Sequence, residues 1–192
     1  MKAEETLRLL KTEGARKVLA KLYGEDQVEE NIRRYSSLTG KFKETYGDKE
    51  ILIFTSPGRT EISGNHTDHN HGKVLAGSIN LDCVGIAAVN GSTRVNIVSE
   101  TFNQKFTIDL NHMEPIKDKA GTEDLVRGLL KGFEEHGYKT GGFDAYITSN
   151  VISSAGVSSS AAFEMLLCSM INKFFNDNQM STVAYAHVGK YA

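Results

Sequence analysis

The stretch from about residue 158 to 176 constrains the fold more than any other. Ala161, Phe163, Met165, Leu166, Leu167, Met170, Ile171 and Phe174 make it a helix that is apolar nearly all round. Such a helix is buried on several sides, so the rest of the chain must supply its walls. Strand-like runs do so: ILIFTS (51–56), CVGIAAV (83–89), RVNIV (94–98), KFTIDL (105–110) and GFDAYIT (142–148) are short apolar or alternating segments. Pro57-Gly58 is expected to stop the first, and Asn90-Gly91 is a hairpin signal between the second and third. In the fifth, Phe143, Ala145 and Ile147 share one face and Asp144 alternates outward.

Helical spacing recurs elsewhere. Leu7, Leu10, Val18 and Leu22 predict an amphipathic helix over 3–22 that ends at Gly24. Ile32, Tyr35, Leu38, Phe42 and Tyr46 predict another over 27–46, with Gly40 as its weak point. Residues 122–136, closed by Gly137, and 181–190 are further helices. The order predicts an α+β fold: a mainly antiparallel mixed sheet with helices packed on one face. The expected organisation is one domain over 1–192, with a helical lead-in (1–50) and an α+β core (51–192). The lead-in holds 21 of the 46 charged side chains and shows no chemistry of its own. The chain stops at Tyr191-Ala192 without a cap or turn, an ending that reads as cut.

At 192 residues the chain buries roughly 70% of its unfolded surface, enough for an ordinary core. A net charge of -2 without a basic block gives no electrostatic case for nucleic acid. No apolar run reaches the roughly 20 residues of a membrane helix, and the charged start MKAEETLRLLKTEG is no signal peptide. Cys83 and Cys168 lie in apolar runs and read as buried thiols in a reducing cytoplasm.

Chemistry concentrates in two places. PGRTEISGNHTDHNHG (57–72) gathers Arg59, Glu61, His66, Asp68, His69 and His71 between strands. A solvated loop would account for the polarity, though not for so many imidazoles beside an Arg and two carboxylates. A metal site is a second reading, because GNHTDH approaches the HxHxDH of binuclear metallo-hydrolases. Gly64, however, stands where that motif has its first His. A third reading is a cradle for a polar ligand, in which Asp68 accepts hydroxyl hydrogen bonds, His66 donates or accepts, and Arg59 holds an anion.

The second place is SSAGVSSSAA (153–162), which leads into the apolar helix. A helix start leaves N–H groups unpaired and partial positive charge exposed. Small residues let a phosphate approach, and the hydroxyls suit phosphate oxygens or magnesium. The P-loop pattern and its lysine are absent. A plain alternative is that Ser158 is an N-cap and its neighbours fill a tight helix–sheet contact.

Residues 56–72, SPGRTEISGNHTDHNHG, closely resemble the galactokinase signature GRxNxIGEHxDYNxG, and VSSSAA (157–162) resembles the GLSSSAA nucleotide motif. The latter marks the wider superfamily of galactokinase, homoserine, mevalonate and phosphomevalonate kinases. The resemblance runs from about residue 30 to the end and implies a domain like the superfamily's N-terminal one, with a ribosomal protein S5 domain 2-like fold. The implied activity is transfer of the γ-phosphoryl group of ATP to the anomeric hydroxyl of D-galactose or a similar hexose, in a cytoplasmic, monomeric full-length protein. By match to the motifs, Arg59 would stabilise the transferring phosphoryl group, and Asn65, His66 and Asp68 would bind the sugar. Gly156, Ser158, Ser159 and Ser160 would wrap the ATP phosphates, with Ser159 helping to hold Mg²⁺.

Galactokinases are about twice this long, and their catalytic aspartate falls in a GxxDQ-like motif expected beyond residue 192, as does their second domain. Asp144 and Asp177 sit in no such motif, so no base is assigned, and a piece without base and lid is expected to have little activity. Glu61, Asn65, His69 and Ser154 depart from the family pattern at the usual Asn, Glu, Tyr and Gly. They leave open a sugar-1-kinase for another substrate, or a non-catalytic sugar-binding regulator.

Overall fold

The structure, a computed structural model, describes residues 1–64, 72–114, 121–152 and 156–191. Among the described residues five strands form one sheet: β1 (Leu52–Ser63), β2 (Leu75–Val89), β3 (Arg94–Ser99), β4 (Gln104–Asp109) and β5 (Phe143–Ser149), in the order β1-β2-β5-β3-β4. The β3–β5 pair is parallel and the other neighbours run antiparallel. The helices are α1 (Ala3–Leu9), α2 (Glu13–Tyr23), α3 (Val28–Tyr46), α4 (Thr122–Glu135), α5 (Ser159–Phe175) and α6 (Thr182–Val188).

The fold is α+β around a mixed, mainly antiparallel sheet, as expected, but its helices lie on both faces. Cys83, Ala87, Ala145 and Ile147 face a core closed by α4 and α5, where Leu129, Phe133, Leu166 and Met170 are buried. Val84, Ile86 and Ala88 face the opposite way, onto Ala3 of α1 and Tyr35, Leu38 and Phe42 of α3. A continuous apolar run such as CVGIAAV cannot leave one side to water. The lead-in helices are therefore the second wall of the sheet.

Several local expectations change. Pro57 does not end β1. It pairs with Asp82, and the register shifts before Arg59, which β1 tolerates because it is an edge strand. β2 begins at Leu75, eight residues before its apolar run, because its first half is a largely exposed ribbon with β1. Asn90-Gly91 does not close a β2–β3 hairpin, since β5 lies between those strands. The turn instead grips the entry to β5: Asn90 N–H donates to Gly142 O at 3.2 Å and Gly142 N–H to Ser92 O at 3.0 Å. A Cβ on Gly142 would lie 2.2 Å from Ser92 O, so only glycine fits.

The predicted helix over 3–22 is two helices, because Thr12 caps α2 by accepting from Ala15 N–H at 3.4 Å. Val18 and Leu22 are exposed and Leu19 is buried in their place. Asp144 does not face solvent. It is buried under the lead-in, where Lys49 reaches it at 2.5 Å, Asn90 at 2.9 Å and Asn96 at 2.7 Å. Cys83 and Cys168 are buried free thiols, both pushed up to about 12 by burial. Among the described residues no helix is long and apolar enough to cross a membrane.

Candidate functional site

The two motifs, about 100 residues apart in sequence, touch. Where β1 shifts register at its middle, Arg59 N–H donates to Val157 O at 3.1 Å. The approach is tight at position 58: a Cβ there would meet Val157 O and Val151 Cγ1 at 3.0 Å and Ile79 Cδ1 at 3.1 Å, so a side chain fits only where these neighbours give way by a few tenths of an ångström.

Beyond that contact, α5 begins. Gly156 has φ +72°, and Ser158, the residue before the helix, is left-handed at φ 60° and ψ 52°. Ser158 is the N-cap of α5 by position, its carbonyl accepting from Ala162 N–H at 3.0 Å, but its side chain makes no capping hydrogen bond. A non-glycine residue in this region costs roughly 1–2 kcal/mol, and such strain gathers at functional sites. No acidic residue occupies the first turn of α5, whereas α1, α3 and α4 each carry two. The positive end of α5 is therefore not neutralised from within its own first turn.

Two cavities share Arg59 and Ser158. One, of about 550 Å³, is lined by residues 59–64 with Gly156 and Ser158. The other, of about 620 Å³, lies between the first turns of α5 and the C-terminal turn, and includes Pro57, Glu164, Met165 and Lys190. Both fall within the 300–1,000 Å³ range of small-molecule pockets. In the first, Arg59 Nη2 meets Glu61 Oε1 at 3.1 Å. In the second, burial pushes the Glu164 carboxyl above the usual carboxylate range.

Of the residues singled out from sequence, the structure brings Arg59, Gly156 and Ser158 to one place. Ser159 and Ser160 open α5 beside them but line neither cavity. Asn65, His66 and Asp68, with His69 and His71, lie outside the described residues. Sequence reasoning missed Glu164, although a signal was available: it is the sole acid in the apolar helix. Among the described residues no group of three or more His, Cys, Asp or Glu converges on a metal. The serine hydroxyls and the Glu164 carboxylate are hard oxygen donors, which suit magnesium held together with phosphates rather than by a protein-only cage.

Comparison with known proteins agrees with both motifs. Residues 40–89 match the galactokinase galactose-binding signature, and residues 124–192 match the GHMP kinases N terminal domain. The chain has the N-terminal domain of the GHMP kinases and is homologous to galactokinases. It is 33% identical over 153 residues to the galactokinase of Clostridium tetani, covering 80% of this chain and 39% of that protein. The galactokinase of Lactococcus lactis strain IL1403 is 36% identical over 155 residues, with 79% and 39% covered.

The crystal structure of Lactococcus lactis galactokinase complexed with galactose superposes with a TM-score of 0.73 at 31% identity, over 81% of this chain and 40% of that one. The Methanococcus jannaschii mevalonate kinase, at 15% identity and a TM-score of 0.60, shares the fold. The chain thus spans about two fifths of the length of these galactokinases.

Proposed function

We propose that this chain is the N-terminal, sugar- and phosphate-binding part of an ATP-dependent hexose kinase that phosphorylates D-galactose at its anomeric hydroxyl. The observation that supports this most is the hydrogen bond from Arg59 N–H to Val157 O. It sets a galactose-signature arginine beside a helix start able to receive phosphates. In this reading residues 1–50 buttress a core over 51–192, and a further domain completes the cleft.

Phosphoryl transfer depends chiefly on positioning and on stabilising charge over the equatorial oxygens. Arg59 would supply that charge, while Gly156, Ser158, Ser159 and Ser160 would present backbone N–H groups and hydroxyls to the ATP phosphates. Asn65, His66 and Asp68 would hold the sugar hydroxyls. Magnesium, bound with ATP and assisted by Ser159, would neutralise the phosphate oxygens. The base that takes the sugar proton is expected from beyond residue 192.

A second reading, a kinase for a different hexose, is favoured by the Arg59–Glu61 pair, since that carboxylate sits where the galactokinase pattern has Asn. Phosphorus NMR of the full-length protein with MgATP and single hexoses separates the two readings. Galactose 1-phosphate should form, and Arg59→Ala should slow its formation by roughly 10²–10³-fold. Faster phosphorylation of another hexose would favour the second reading, and no sugar phosphate at all would end both.

A further inference from the structure

Asp82 of β2 is 4% exposed and stands at the root of both motif segments. Its Cα partner on β1 is Pro57, two residues before Arg59. Its backbone carbonyl accepts from Asn150 N–H at 2.9 Å, where β5 gives way to the segment leading to the serine turn. Its carboxylate is held from the lead-in: Arg34 Nη1 donates to Oδ1 at 2.6 Å and Tyr23 OH to Oδ2 at 2.5 Å, while Thr55 of β1 also donates to Oδ2. Arg34 Nη2 donates to the carbonyl as well, at 3.0 Å, and Tyr35 OH lies 2.6 Å from Tyr23 OH. Burial, followed by its hydrogen bond to Asp82, pushes the Tyr23 hydroxyl well above the usual tyrosine range, so it serves as a fixed donor.

This arrangement spans α2, α3, β1, β2 and the end of β5. A carboxylate that merely balanced a nearby charge would not need donors from three elements, nor would Arg34 need to reach both side chain and backbone of the same residue. We infer that Arg34 and Tyr23, acting through Asp82, are positioning residues for the site, fixing β1 and the end of β5 so that Arg59 meets the serine turn. The lead-in is then part of the active machinery, although it contributes no group to either of the two cavities that share Arg59 and Ser158. This inference rests on the kinase reading only for its catalytic consequence; the structural part stands without it.

The test is amide hydrogen exchange in the full-length protein, comparing Arg59 and Asn150 with Ile86 at the centre of the sheet, in the parent, Tyr23→Phe and Arg34→Met. The ratio of exchange rates removes any change in global stability, because Ile86 reports global opening. Arg59 and Asn150 should exchange at least about tenfold faster relative to Ile86 in Arg34→Met, and several-fold faster in Tyr23→Phe. If Arg34→Met does not fold, Tyr23→Phe gives the same ratio after the loss of a single hydroxyl. Unchanged ratios would overturn the inference, leaving the pair a stabilising one only.

On the kinase reading, kcat in Tyr23→Phe should fall by up to roughly 100-fold, as for a displacement of about 1 Å, with little change in melting temperature. A fall in melting temperature at constant kcat would also overturn positioning. Absence of phosphorylation in the parent would end the kinase reading and leave the exchange result standing.

Discussion

The two long helices on the same face of the sheet begin in opposite ways. α4 follows an extended Gly121 and carries Glu123 and Asp124 in its first turn, with Glu123 paired to Arg127 at 2.9 Å. Its N-cap makes no side-chain hydrogen bond either, but two carboxylates stand at its positive end. α5 follows a left-handed Ser158 whose hydroxyl caps nothing, has no acid in its first turn, and borders cavities shared with Arg59. One helix start is built for stability. The other gives up some of that stability, and on the proposed reading what it leaves open receives the ATP phosphates.

The largest way to break this contrast is to push the motifs apart. Gly58→Val places branched methyls against Val157 O and Val151, and should lower kcat roughly 100-fold while costing about 1–3 kcal/mol of stability. Steady-state kinetics beside a denaturant melt would check both. Next, giving α5 the acid that α4 already has should reverse its role. Ser160→Glu is expected to weaken ATP binding by roughly 10- to 100-fold, yet raise stability by about 0.3–1 kcal/mol. A stabler protein with unaltered ATP affinity would show that the helix start is not a phosphate site.

Smaller effects sharpen the same comparison. Ser158→Gly removes the left-handed strain and should stabilise the fold by about 1 kcal/mol, seen as a higher urea midpoint. Glu123→Gln in α4 should cost only about 0.3–1 kcal/mol and leave ATP and sugar binding untouched by titration.

Much of this was legible in the sequence, for identifiable reasons. The buried helix, the α+β order and the alternation of Phe143, Ala145 and Ile147 follow from periodicity, which local residues determine. Both motifs were visible because glycines, serines and an arginine in fixed order carry chemistry. Contacts between distant segments were not legible. Pro57 continuing along an edge strand, β5 inserting beside Asn90-Gly91, and Asp144 turning under α3 all depend on which strand lies next to which. Arg34 and Tyr23 looked like ordinary residues of a charged lead-in, since nothing local announces a partner such as Asp82, 48 and 59 residues away.

The most direct test of a single site with a sugar side and a phosphate side is calorimetric titration of the full-length protein with galactose and with MgATP, in the parent, Asp68→Ala and Ser159→Leu. Asp68→Ala removes a charged acceptor worth about 1.5–3 kcal/mol. It should weaken galactose roughly 10- to 100-fold and leave ATP nearly unchanged. Ser159→Leu crowds the helix start and should do the reverse, weakening ATP more than galactose. Equal losses of both ligands in both variants would contradict the two-sided site and reduce these residues to supports of the fold.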